Sequence, residues 1–257
     1  MNKIFNYPLT KATSFFENLG RYILLILNMF RSIDTWHKYT SNIINQMIII
    51  GSKSIPIVII TSFFSGMVTS VQGAYQMTTS LVPKWYIGGI VGESVLLELA
   101  PVITGLVLAG RVGANITAEI GTMRVTEQID ALETLSIDPV AYLIVPRVLS
   151  GIVMFPVLVI IADFCGIFGG LLACVSTLDI NSYQFLKGVK SWFKPWDAIF
   201  GLIKAFHFGF VITSVSCYFG FYTNGGAQGV GKAAMNTVVV SCVAIVILDY
   251  LLAEILL

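Results

Sequence analysis

ELAPVITGLVLAGRVGANITAEIGTMRVTEQIDALETLSIDPVAYLIVPRVLSGIVMFP, residues 98–156, decides the fold. An apolar segment runs into a short charged stretch, stops at Asp138-Pro139 and gives way to a second apolar segment. A hydrocarbon core about 30 Å thick takes roughly 20 apolar residues as helix. Lipid offers the backbone no hydrogen-bond partners, so each such segment is predicted to satisfy its own by forming an α-helix. A plain turn would join two spans more simply than a charged helix does. The charged stretch therefore suggests a surface built to be held by something outside the membrane.

Within it, Thr122–Ser136 is predicted to form one amphipathic helix. Val125, Ile129 and Leu132 fall on one face; Glu127, Asp130 and Glu133 fall on a neighbouring face, with Arg124 beside Glu127 at i+3.

Working outward, 56% of the 257 residues are hydrophobic and 11% are charged. A soluble domain is about one quarter charged, so the chain reads as an all-α integral membrane protein. Fifteen Lys+Arg against fourteen Asp+Glu give a net charge of +1, which argues against nucleic acid as a partner. Cys165, Cys174, Cys217 and Cys242 lie in apolar segments without CxxC spacing, as buried, reduced residues do. The first apolar run follows Lys3, Lys11 and Arg21 and lacks a small-residue cleavage site, so no cleavable signal peptide is expected. Plentiful Ile, Asn, Phe, Tyr and Lys suit an AT-rich genome, plastid genomes among them.

Residues 1–40 form one unit, an amphipathic interfacial helix in which Phe15, Phe16, Leu19, Tyr22, Ile23 and Phe30 recur at helical spacing between charges. Residues 41–257 form the second unit. It carries five spans, expected at 43–75, 89–119, 141–177, 196–221 and 234–256. Lys3, Lys11, Arg21, Arg31 and Lys38 precede the first span and Lys53 falls in its N-terminal third, so the N-terminus is placed on the cytoplasmic side. The 120–140 and 221–233 loops then share that side, although Lys187, Lys190 and Lys194 fall opposite.

Ionisable residues inside spans are costly and default to functional candidates. Glu98 and Arg111 lie in the second span, with Glu119 near its inner end; Asp163 lies in the third, Lys204 and His207 in the fourth, and Asp249 in the fifth. Lys204 and Asp249 have opposite signs on consecutive antiparallel helices and could face one another. A structural ion pair would look the same in sequence. Small residues (Ala109, Gly113, Ala114 and Ala118, then Gly166-x-x-x-Gly170) allow close helix packing, for which intramolecular contacts are the plain reading. Gly225-Gly226-Ala227-Gln228-Gly229-Val230-Gly231 is read as a flexible inner loop, since no βαβ unit precedes it and Ala233 follows Lys232 where a P-loop has Ser or Thr. The chain therefore shows no ATP motif, no nucleophile–base pairing and no metal-ligand spacing, and neither a cofactor nor a catalytic residue is expected.

LAGRVGANITAEIGTMRVTEQIDALETLSIDP followed by VPRVLSG, together with GGAQGVGKAA, resembles the MlaE permease family over about residues 40–257. These are membrane subunits of ABC lipid transporters that work with MCE-domain proteins; plastid-encoded, cyanobacterial and plant TGD-type permeases belong among them. The resemblance implies an interfacial helix plus five spans, a homodimer, and a coupling helix after span two that engages a separate ATPase subunit. By position, Arg124, Glu127, Asp130 and Glu133 would belong to the coupling helix, and Glu98, Lys204 and Asp249 to the lipid path. Many bacterial members carry an arginine before that glutamate, where Leu97 stands here. The implied function is transport of phospholipid or a related polar lipid, with ATP bound only by the partner. The implied setting is a plastid inner envelope or a bacterial or cyanobacterial inner membrane. The alternative is a non-transporting anchor or scaffold for an ATPase. An ion-coupled carrier is disfavoured, because five unequal spans do not divide into inverted repeats.

Overall fold

The computed structural model describes residues 2–77, 83–178 and 180–257, with side chains from Phe16 onward except Thr35. Among the described residues there is no strand. The helices are α1 (Asn2–Ser32), α2 (Trp36–Gln76), α3 (Tyr86–Val125), α4 (Gln128–Thr134), α5 (Val140–Thr177), α6 (Ser182–Trp192), α7 (Pro195–Phe221) and α8 (Gly226–Leu256). Helices α2, α3, α5, α7 and α8 are each long and apolar enough to cross a membrane, which makes this a multi-pass membrane protein.

Helix α5 packs between α2 and α7, while α7 and α8 flank the inner half of α3. The α2–α5 crossing is very close: a Cβ on Gly66 would lie 1.8 Å from the Gly166 carbonyl oxygen. The Gly166-x-x-x-Gly170 seam is thus an internal contact. Hydroxyls tie the bundle where water cannot. Thr117 Oγ1 lies 2.8 Å from Thr237 Oγ1 and donates to the Ser216 carbonyl at 3.0 Å, and Ser70 donates to the Gly170 carbonyl at 3.0 Å. Helix α1 lies against α7 through Tyr22, whose hydroxyl is 2.8 Å from Ser214 Oγ, and it buries Leu25 and Met29. Its outward residues Phe16, Ile23, Leu24, Leu27 and Phe30 remain exposed.

Three expectations need correction. The stretch expected as a flexible loop at 225–231 is mostly helix: α8 begins at Gly226, eight residues earlier than the expected 234. Gly225, with φ +93°, makes the reversal. At Gly229 a Cβ would sit 1.9 Å from the Asn224 carbonyl oxygen, so only glycine lets the first turn fold back on the connection.

The Thr122–Ser136 helix is not continuous. It breaks at Thr126–Glu127, where Glu127 adopts φ 60°, and only Gln128–Thr134 resumes as α4. Arg124 consequently pairs with Asp130 (2.7 Å) and not with Glu127. Helix α4 ends as a Schellman turn: Ile137 N–H donates to the Leu132 carbonyl (3.0 Å) and Ser136 N–H to that of Glu133 (2.9 Å), with Ser136 at φ 59°.

Between spans three and four, where a loop was expected, α6 forms. Asn181 Oδ1 caps it through Tyr183 N–H, Phe185 is fully buried, and Trp192 packs edge-on against Tyr86 at the start of α3 (5.4 Å between rings).

The long helices also contain three π turns, at Val95–Leu99, Ala109–Gly113 and Val140–Ile144. Two have an evident cause. Proline lacks an N–H and crowds the carbonyl four residues back. Pro101 faces Leu97 and Pro146 faces Tyr142, each inside a π turn. Widening the helix relieves the clash and leaves a carbonyl without its usual donor.

Candidate functional site

The carbonyl freed by Pro101 is where the site begins. Lys204 Nζ, on α7, donates to Leu97 O at 3.0 Å and to Glu98 Oε2 at 2.7 Å, both on the π turn of α3. It also lies 2.6 Å from Asp249 Oδ1 on α8, an ion pair by distance whose angle falls outside hydrogen-bond geometry. The Phe200 ring stands 4.7 Å from the ammonium. Lys204 is completely buried, Asp249 nearly so, and Glu98 has 53% of its side chain exposed. Three elements from different parts of the chain thus converge on one ammonium. The arrangement carries a net charge of −1 when both carboxylates are ionised.

Depth follows from helical rise. At 1.5 Å per residue, Glu98 lies about 18 Å along α3 from Tyr86 and Lys204 about 14 Å along α7 from Pro195. Both helices start on the side opposite α4, and these depths place Glu98 and Lys204 near the middle of a hydrocarbon core about 30 Å thick. Glu98 therefore presents a half-exposed carboxylate at hydrocarbon depth. Such a group is expensive in lipid unless a water-filled cavity or another protein surface covers it.

The second group of expected residues lies at the other end. On α4, Ile129 is fully buried and Leu132 half-buried, while Glu127, Asp130 and Glu133 are exposed. The exposed Arg124–Asp130 pair is worth at most about 1 kcal/mol, so it does little to hold α4. Burial of Ile129 does more.

A family model described as permease MlaE matches residues 43–255. This chain belongs to the MlaE permease family. Three relatives give the breadth. It is 45% identical to a probable ABC transporter permease protein of Rickettsia conorii over 244 residues, 95% of this chain and 94% of that one. It is 33% identical to the intermembrane phospholipid transport system permease protein MlaE of Haemophilus influenzae over 249 residues, 96% and 94% of the two chains. It is 36% identical to the chloroplastic protein TRIGALACTOSYLDIACYLGLYCEROL 1 of Arabidopsis thaliana over 213 residues, 83% of this chain and 61% of that one.

The remaining charges of this MlaE-family chain fall into place individually. Arg111 Nη1 donates to Ser54 Oγ on α2. His207 Nδ1 lies 2.7 Å from the Ile203 carbonyl one turn back, which makes Nδ1 the protonated nitrogen. Among the described residues no group of His, Cys, Asp and Glu could hold a metal ion. Asp163 keeps a buried carboxylate oxygen without a hydrogen-bond partner, a feature we have no physical account of.

Sequence reasoning missed Arg147. It is 5% exposed, pairs with Glu119 Oε1 at 2.8 Å and donates to the Leu143 carbonyl at 2.7 Å. The pair joins the last turns of α3 to the second turn of α5, so it closes the loop that carries α4. The signal was present in VPRVLSG as an arginine inside an apolar run, six residues after the expected start of the span at 141.

Proposed function

We propose that this chain is the membrane-spanning subunit of an ABC transporter that moves phospholipid or a related polar lipid between membranes. Family membership and the phospholipid-transport permease among its relatives support this reading. The observation that carries it is Glu98, half exposed at hydrocarbon depth beside the buried Lys204. A wall of this kind suits a cavity between two protomers: apolar enough for acyl chains, with a few charges for a headgroup. We take the working form to be a homodimer, with α4 of each copy gripped by a separate ATPase subunit that binds the ATP, and an MCE-domain protein on the opposite side. Glu98, Lys204 and Asp249 serve the lipid path; Arg124, Glu127, Asp130 and Glu133 serve coupling. The membrane is a bacterial-type inner membrane, the plastid inner envelope included.

The test is to purify the tagged chain gently from its native membrane, identify what accompanies it, and measure ATP-dependent lipid transfer between vesicles. Two copies with two ATPase subunits are expected. Glu98→Gln and Asp249→Asn should lower transfer about tenfold with the ATPase still bound, whereas Glu133→Arg should release the ATPase. Full transfer in both path variants, with the ATPase lost in Glu133→Arg, would make the chain a scaffold and overturn the transport reading.

A further inference from the structure

Two irregularities on facing helices bring two cations into one cleft. Helix α2 is interrupted at Gly51 and continues as a 3-10 turn, Ser52–Ser54, before Pro56. Opposite it, α3 passes through its π turn Ala109–Gly113, which no proline explains. Such single-turn widenings occur disproportionately at functional sites. The first break presents Lys53 and the second presents Arg111. Both line a cleft of about 170 Å³ with Asn115 and the apolar side chains of Ile49, Ile50 and Ile116.

Arg111 is steadied through one nitrogen by Ser54 Oγ, which itself donates to the Ile50 carbonyl at 2.5 Å. No carboxylate lines the cleft, and among the described residues neither Lys53 nor Arg111 joins an ion pair.

The depth of the cleft decides what kind of anion it meets. The helical segment Ile55–Gln76 has 22 residues, about 33 Å at 1.5 Å each, enough to cross the hydrocarbon core. Lys53 lies just beyond its end on the α4 side. On α3, Arg111 lies about 37 Å from Tyr86 by the same measure, also at headgroup level. It is about 20 Å along the helix from Glu98, so the cleft is separate from the Lys204 site.

We propose that this cleft binds the phosphate of an anionic phospholipid from the leaflet on the α4 side, bridging α2 to α3. Lys53 and Arg111 supply the charge, Asn115 a hydrogen bond, and the isoleucines contact the glycerol and upper acyl chain. The assignment rests on span depth and charge and does not depend on the transport reading.

Native mass spectrometry of the purified full chain in neutral detergent tests it, with dioleoyl phosphatidylglycerol, dioleoylglycerol and inorganic phosphate as probes. We expect one retained phosphatidylglycerol per chain, bound about fivefold more weakly in Lys53→Gln and more weakly still in Lys53→Glu. Retention should be unchanged in Lys190→Gln, on the exposed face of α6. Dioleoylglycerol should not be retained, and millimolar inorganic phosphate should not displace the lipid. Lys53 is exposed, so its variants should keep the wild-type melting temperature. Equal lipid retention in Lys53→Glu and wild type would overturn the site. Displacement by inorganic phosphate would overturn the lipid as its occupant. The readout uses neither ATP nor an ATPase, so failure here leaves the transport reading intact, and the reverse holds too.

Discussion

Pro101 and Lys204 are coupled through a single atom, the Leu97 carbonyl oxygen. Pro101 lacks the N–H that an α-helix would offer that oxygen, and the lysine donates to it instead. Lys204 is therefore held by backbone as well as by carboxylates, and its position does not depend on Glu98 alone. The energetic risk lies in removing it. Lys204→Leu would leave Asp249, 16% exposed, as an unpaired buried charge, which costs about 3–5 kcal/mol. The double change Lys204→Leu/Asp249→Leu removes both charges and should recover most of that loss in thermal unfolding in detergent. A double variant no more stable than the single one would mean that the pair contributes little. Glu127 makes a smaller point of the same kind. Its left-handed backbone costs about 1–2 kcal/mol, while glycine gives back about 0.5–1 kcal/mol in unfolded-state entropy. Glu127→Gly should thus be neutral to mildly stabilising in a melt, yet it removes one of the acidic groups assigned to coupling. Glu98, Lys204 and Asp249 were legible in the sequence because a charge stands out in an apolar run. The Leu97 carbonyl and the Glu119–Arg147 pair were not, because choosing partners requires the register of helices far apart in sequence.

At the level of elements, α4 keeps its place chiefly through Ile129, with Leu132 half-buried against the same core. Ile129 is fully buried beneath a seven-residue helix whose only ion pair is exposed. Ile129→Ala should cost about 2–4 kcal/mol locally. Amide exchange over Gln128–Thr134 should accelerate while the spans stay protected, and unchanged exchange there would show that the helix is held by other contacts. The apolar spacing of Val125, Ile129 and Leu132 was readable, but the break before Gln128 was not. It depends on a left-handed Glu127, and nothing in a glutamate announces that conformation. Helix α6 was missed for another reason. Lys187 and Lys190, with Lys194 just beyond its end, drew attention to charge, while Asn181 as cap and Phe185 as anchor carried the structural signal. The π turns had a partial signature, since Pro101 and Pro146 each sit just after one.

For the molecule as a whole, five apolar runs were enough to give the number of spans, because lipid allows few alternatives for a stretch of that length. The sequence left open which faces meet. That the glycines of α5 pack on α2 and that α3, α7 and α8 share one ammonium became visible only in three dimensions. The burial of Lys204 also bears on how the chain enters its membrane. Helix α7 follows α3 in the chain and precedes α8, so during synthesis Lys204 reaches the bilayer with Glu98 and the Leu97 carbonyl already in place but before Asp249 exists. A lysine near the middle of a lone helix opposes insertion by roughly 2.5–3.5 kcal/mol, less where it sits nearer an end. The substitution that weakens the finished fold should therefore help its assembly. Offered alone to an insertion machinery, Pro195–Phe221 with Lys204→Leu should insert more often than the native segment. Equal insertion of the two would mean that α7 crosses unaided. More frequent insertion of the Lys204→Leu segment would make the native lysine a checkpoint in the full chain, settling α7 in the membrane only where α3 is waiting to receive it.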